Sequence, residues 1–104
     1  MFARVARYEV PPERMDEAVE AFRDAVTEIE TLPGLKGGSV LVDAEDGVIM
    51  SMTFWETRTA MADSEVQAAG LRREAAKRVD GKVVSVHCLD VISEIGTTAA
   101  PTTT

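Results

Sequence analysis

The sequence predicts one α+β domain with the element order β-α-β-β-α-β, the ferredoxin-like arrangement in which helices cover one face of a four-stranded antiparallel sheet. Three observations predict it. Runs with strand composition lie near the two ends of the chain, at 2–10 and 82–95. Apolar residues spaced three and four apart mark helical regions at 13–31 and 57–79. Two further β-rich runs lie between these helical regions and flank a turn segment.

The first strand, 2–10, ends at the proline pair "PP", because proline has no backbone N–H to donate to a sheet. Proline fits the first turn of a helix, so the first helix is expected directly afterwards, over 13–31. The segment "LPG" at 32–34 then ends it. One face of this helix carries the apolar side chains expected to pack on the sheet, namely Met15, Ala18, Val19, Phe22, Val26 and Ile29.

A hairpin follows, with strands at 38–43 and 48–55 joined by the turn segment "AEDG". The second helical region is expected to break into two helices, at 58–63 and 65–79. The break is predicted by "SEVQ", a capping-box pattern in which the serine, Ser64, caps the new helix and the glutamine reaches back to it.

The last strand is expected to be the longest, over 82–95, and to complete a domain that spans 1–95. The segment "GTTAAPTTT" at 96–104 contains small and polar residues without apolar periodicity. That composition predicts a disordered, dispensable tail.

Charge and composition exclude several classes of protein. The formal net charge of −7 argues against binding to nucleic acid or to an anionic membrane, because phosphates would be repelled. A single cysteine permits no internal disulfide and fits a reducing compartment. In the N-terminal stretch arginines interrupt the apolar residues, which is unlike a signal peptide. No apolar run in the sequence is long enough to span a membrane. We therefore expect a cytoplasmic protein.

The strand at 48–55 has no charged side chain on either face. One face is wholly apolar and the other is mixed, although a face exposed to solvent usually carries charged residues. The two alternating sets are Val48, Met50, Met52 and Phe54, and Ile49, Ser51, Thr53 and Trp55. Both faces of the sheet are therefore expected to be buried, and a two-fold homodimer is the simplest way to cover the second one.

Four segments together carry a family resemblance: "ARVARYEVPPERMDEAVEAF", "TLPGLKGGSVLVDAEDG", "FWETRTAMADSE" and "VVSVHCLDVI". The most specific parts are the "PG" after the first helix and the pattern W-E-x-x-x-A-M after the third strand. On these residues the chain resembles, over 2–95, the antibiotic-biosynthesis-monooxygenase-like (ABM-like) family of the dimeric α+β barrel superfamily. The resemblance implies a dimeric α+β barrel and a cofactor-independent monooxygenase that holds a small apolar or aromatic, quinol-like metabolite inside the half-barrel.

In the mechanism that the resemblance implies, the protein deprotonates an activated phenol and the substrate carbanion itself reacts with O2. This requires a dry pocket, a base and a stabiliser for the oxyanion. The alternative is a homodimer that binds a small ligand, or is purely structural, and keeps the fold without an active site. A cavity with polar groups would favour the enzyme, and a barrel filled with side chains would favour the alternative.

The haem-degrading members of the superfamily place an Asn, a Trp and a His at positions that correspond to Ala6, Ser64 and Glu74 here. None of these three residues carries the required side chain. We therefore expect no haem degradation, and the sequence predicts neither a cofactor nor a metal site. The only His and the only Cys, His87 and Cys88, are adjacent and point to opposite faces of a strand.

Five residues are candidates for a functional site. His87 is the candidate base, because histidine is the side chain that most often serves in general acid–base catalysis, and Ser85 lies beside it on the same strand face. Arg4 and Tyr8 share one face of the first strand and are candidates to bind a carbonyl or phenolate oxygen, or else to form salt bridges at the strand ends. Trp55 is either the wall of a pocket for a flat aromatic ligand or a packing residue at a strand end.

Overall fold

The structure is a computed structural model that describes residues 1–96, and its elements follow the order β-α-β-β-α-α-β. The predicted α+β class is confirmed, with the second helical region divided in two. A single 3-10 turn, Pro12–Arg14, precedes the first helix. The strands and helices are β1 Phe2–Glu9, α1 Met15–Ile29, β2 Leu35–Asp43, β3 Val48–Trp55, α2 Arg58–Asp63, α3 Glu65–Arg78 and β4 Lys82–Asp90.

The four strands form one antiparallel sheet in the order β2-β3-β1-β4, so β2 and β4 are its edges. In the centre of the sheet, Ala6 of β1 lies opposite Ser51 of β3 and Val86 of β4. None of the helices within residues 1–96 is long and apolar enough to cross a membrane. The predicted tail lies, from residue 97 onward, outside the described residues.

Helices α1 and α3 pack on one side of the sheet, which we call the helix face. The core on this side includes Ala6, Tyr8 and Ile49 from the strands, together with Phe22 of α1 and Ala75 of α3. Because side chains alternate along a strand, the intervening residues of each strand point to the other side, which we call the open face. No element of residues 1–96 packs over the open face.

A β-bulge in β4 changes which residues share a face. The register between β1 and β4 shifts between Arg7 and Tyr8, so that both Val83 and Val86 pack against the core on the helix face. A regular strand would place Val83 on the same face as Ser85 and His87, but the bulge adds one residue to the strand and brings Val83 to the helix face. Strand β4 also ends at Asp90, five residues before the predicted end.

The break between α2 and α3 does not use the predicted capping box. The backbone of Ser64 is helical, with φ −81° and ψ −10°, and its side chain makes no capping bond. Its hydroxyl instead donates to the carbonyl oxygen of Met61 at 2.7 Å. The cap in this region is Thr57, whose hydroxyl accepts from the backbone N–H of Ala60 at 3.0 Å and begins α2.

Candidate functional site

A cleft lies between the helices and the strands β1, β2 and β3. Its inner pocket is about 30 Å³ in volume, and its outer pocket, of about 340 Å³, opens between the end of α1 and the edge strand β2. The two pockets adjoin, since they share the lining residues Val26, Ile29, Val40, Ser51 and Thr53. The inner pocket also reaches Arg4, Tyr8 and Arg72. The cleft therefore combines apolar walls with a polar inner end.

Arg4 anchors the inner end of the cleft. Its side chain is 4% exposed, and its Nη2 donates to the carbonyl oxygen of Met61 at 2.5 Å and to the hydroxyl of Ser64 at 3.1 Å. Its Nε lies 3.1 Å from Oε1 of Glu65, close enough for an ion pair but without hydrogen-bond alignment. The guanidinium also lies 5.3 Å from the ring centroid of Trp55. Arg4 thus ties β1 to the junction of α2 and α3.

A second buried arginine, Arg72 of α3, shares the same carboxylate. Its Nη2 lies 2.7 Å from Oε2 of Glu65, and its side chain is 8% exposed. The Glu65 carboxylate therefore sits between Arg4 and Arg72, and we call these three residues the Arg–Glu–Arg cluster. Two cations and one carboxylate leave one unit of positive charge at the inner end of the cleft.

Tyr8 supplies a hydroxyl next to this cluster. The side chain is almost completely buried, its ring packs against Phe22 with centroids 4.5 Å apart, and its hydroxyl lies 3.1 Å from that of Ser51. Burial raises the pKa of Tyr8, and this outweighs the opposing effects of the Ser51 hydrogen bond and of Arg72 and Arg4. Tyr8 therefore keeps its proton at neutral pH and serves as a hydrogen-bonding group.

The structure places the predicted site residues on two sides of the sheet. Arg4 and Tyr8 line the cleft on the helix face. By strand alternation from Val86, Ser85 and His87 lie on the open face, where His87 is exposed. The structure does not bring His87 together with Arg4 and Tyr8, so these three residues do not line one pocket.

Sequence reasoning missed Ser51 and Arg72. Arg72 lies four residues after Ala68 and three before Ala75, so it shares the buried face of α3 with these two alanines. An arginine at such a position on an apolar face was the available signal. Ser51 lies on the face of β3 that combines polar and apolar residues, and this mixed composition was the available signal for a wall of the cleft.

Trp55 is fully buried and does not line either pocket. Its indole N–H donates to the hydroxyl of Thr53 at 2.9 Å, and its ring faces the Arg4 guanidinium. In this geometry Trp55 supports the cleft from behind, through Arg4 and Thr53. Within residues 1–96, no group of three or more His, Cys, Asp or Glu side chains is placed to hold a metal ion.

Replacing Trp55 with phenylalanine is expected to lower the free energy of unfolding by about 1–2 kcal/mol, because the indole hydrogen bond and part of the buried ring area are lost. Urea unfolding at one fixed protein concentration measures the change. A variant as stable as the wild type would show that neither the indole hydrogen bond nor the lost ring area contributes to the stability of the fold.

Comparison with known proteins gives the family. The family model described as "Antibiotic biosynthesis monooxygenase" matches residues 1–77. No curated protein sequence matches the chain. Among solved structures, a protein described as an antibiotic biosynthesis monooxygenase is 21% identical with a TM-score of 0.66, over 89% of this chain and 100% of that one.

Two further structures have named sources. Rv0793 from Mycobacterium tuberculosis is 16% identical with a TM-score of 0.70, over 90% of this chain and 97% of that one. SnoaB, a cofactor-independent oxygenase from Streptomyces nogalater, is 15% identical with a TM-score of 0.72, over 90% of this chain and 95% of that one. These likenesses show the fold, and because the family model matches most of the sequence, the chain belongs to the antibiotic biosynthesis monooxygenase family.

Proposed function

We propose that this protein is a cofactor-independent monooxygenase that binds a small aromatic, quinol-like metabolite in the cleft between the helices and the sheet. One observation carries the proposal: the apolar cleft ends at two hydrogen-bonding groups, the Tyr8 hydroxyl and the Arg72 guanidinium, and this end carries a net positive charge. The family supports the reaction class, and so does the description of SnoaB as a cofactor-independent oxygenase.

The proposed reaction converts a ring CH2 of the activated substrate into a carbonyl. The ionised substrate supplies the electrons to O2, one oxygen atom forms the new carbonyl, and the other leaves as water. Negative charge develops on oxygen during this step, and preorganised donors stabilise such charge best in a site from which water is excluded. The Arg72 guanidinium and the Tyr8 hydroxyl are the donors at the inner end of the cleft, and Val26, Ile29 and Val40 form apolar walls.

A second candidate is a protein that binds the same ligand without turning it over. The observation that favours it is the absence of a base among the described residues lining the inner pocket, where the charged residues are Arg4 and Arg72. His87, which the sequence suggested as the base, lies on the open face. The two candidates differ in turnover and agree on the binding site.

Oxygen uptake with a tricyclic anthrone distinguishes the candidates. For the enzyme, wild-type protein is expected to raise the rate above that of buffer, and Tyr8→Phe should lower kcat by about tenfold or more, because it removes one donor from the developing oxyanion. Ser85→Ala, on the open face, is the matched control and should retain the wild-type rate. Calorimetric binding of the anthrone with oxygen uptake at the buffer rate would support the binding protein, and the absence of both would contradict both.

We also propose that a second copy of the chain covers the open face. The central strands β1 and β3 present a half-buried, largely apolar surface there, and the edge strands add Leu41 and Leu89, which are about half exposed. From the central strands the apolar part of the surface contains Val5, Val48, Met50, Met52 and Phe54. The same face of β1 also carries Arg7 and Glu9, which form an ion pair at 3.9 Å towards one end of the strand. A largely apolar sheet face of this kind is typical of an interface, and a two-fold dimer pairs it with itself.

A further inference from the structure

The charge at the inner end of the cleft is not balanced by the protein residues that line it. Among residues 1–96, Arg4 and Arg72 are the charged residues lining the inner pocket, and Glu65 behind them compensates one of the two. An uncompensated charge in a buried site is costly, and an opposite charge brought by a ligand relieves that cost. The cleft is therefore electrostatically incomplete without an anionic group.

Arg4 and Arg72 differ in how many of their N–H donors already have a partner. Arg4 contacts the Met61 carbonyl oxygen, the Ser64 hydroxyl and the Glu65 carboxylate. Within the described residues, Arg72 makes its polar contact through Nη2 to Glu65, while its side chain borders the inner pocket. A guanidinium has five N–H donors, so Arg72 retains donors for a ligand oxygen. Arg72 is thus the group of the cluster best able to bind an anion.

Among residues 1–96, no group at the inner end is placed to take a proton from a ligand. Both oxygens of Glu65 already face arginines, and Tyr8 holds its own proton because burial raises its pKa. His87 lies on the opposite side of the sheet. A neutral phenol would therefore reach the arginines without a base to ionise it.

We infer that the cleft selects a ligand that arrives already ionised: an aromatic compound with a carboxylate or an acidic phenolate, whose charged oxygen binds Arg72 and whose ring occupies the outer pocket. The exposed carboxylate of Glu30 at the rim of the outer pocket favours this orientation, because it repels an anion left at the entrance. The inference rests on the proposed function only for the location of the ligand. It narrows the substrate class to acids and assigns charge selection to Arg72.

Two ligands of similar shape, one charged and one neutral, test the preference for a negative charge on the wild-type protein. We expect 2-naphthoate to bind at least about tenfold more tightly than the neutral isostere 2-naphthamide at pH 7.5 in calorimetric titrations, because hydrogen bonds to charged groups are the stronger ones. For the phenolate form, 4-nitrophenol is followed by absorbance, and binding should shift its ionisation towards lower pH. A response to one probe class alone identifies whether the carboxylate or the phenolate is preferred.

Variants then assign the selectivity to one side chain. Arg72→Met should abolish the preference for 2-naphthoate, and Arg72→Lys should retain part of it, because the charge remains but the planar fork is lost. Arg73→Met is the matched control, since Arg73 is the adjacent, exposed arginine of α3 and should leave the preference unchanged.

Three results would overturn the inference: equal binding of the acid and the amide to the wild type, a preference that survives in a folded Arg72→Met, or binding of neither probe class at millimolar concentration. Oxygen uptake with an anthrone that carries a carboxylate separates this test from that of the proposed function. Charge selectivity without turnover of this anthrone supports the inference and contradicts the monooxygenase, whereas its turnover without charge selectivity does the reverse.

Discussion

Replacing Arg4 with methionine is expected to lower the free energy of unfolding by about 2–4 kcal/mol, because the buried guanidinium makes hydrogen bonds that a thioether cannot replace. The substitution keeps an unbranched side chain beneath Trp55 but leaves the Ser64 hydroxyl oxygen without its donor. The Met61 carbonyl oxygen loses the Arg4 donor and keeps that of the Ser64 hydroxyl. Glu65 keeps Arg72, which limits the loss. Urea unfolding at one fixed protein concentration measures the effect, since association of the chain would change apparent stability.

Arg58→Met is a matched control for this experiment. Arg58 also combines an ion pair, at 2.8 Å to Asp90, with a position over an aromatic ring, 4.9 Å from the ring centroid of Phe2. Its side chain, however, is 65% exposed, and exposed pairs contribute about 0–1 kcal/mol. Equal losses for Arg4→Met and Arg58→Met would show that the burial of Arg4 is not what makes it important.

The sequence predicted the elements well because their signals are local. Apolar spacing in α1, the "PP" and "LPG" boundaries and the hairpin turn all depend on residues close together in the chain. The bulge in β4 left no such signal, because Val83, Val84, Ser85 and Val86 suit a regular strand equally well. The capping box failed for a related reason: the hydroxyl of Ser64 bonds to Met61 and Arg4, and Arg4 is sixty residues away in the chain.

The candidate site was harder to predict than the fold because alternation identifies which residues share a face but not which face the helices cover. Arg4 and Tyr8 were correctly grouped by their spacing on β1. His87 was proposed as a base because of the chemistry of its side chain. The sequence does not show on which side of the sheet the cleft lies, so it could not show that His87 faces away from the cleft. Arg72 and Glu65 meet Arg4 only through tertiary packing of α3 on the sheet, which no single stretch of sequence records.

Replacing Val5 with lysine is expected to convert a wild-type dimer into a monomer, raising the dissociation constant by about a hundredfold or more, because an unpaired charge buried at an interface costs several kcal/mol. Val5 lies at the centre of the open face, on β1 between Met52 of β3 and His87 of β4. In a monomer the lysine extends into water, so the fold should survive. On this face His87 lies opposite Val5 and Arg7 lies two residues along β1, and neither offers the new ammonium a negative charge.

Val66→Lys is the control, since it makes the same change at a valine of α3 that is 86% exposed and on the opposite side of the molecule. Sedimentation velocity at micromolar concentration should show a wild-type dimer, a Val66→Lys dimer and a Val5→Lys monomer, with circular dichroism confirming that all three are folded. A wild-type monomer would contradict the proposed dimer itself. A dimer that tolerates Val5→Lys would place the interface elsewhere, and the apolar open face would then need a different partner to cover it.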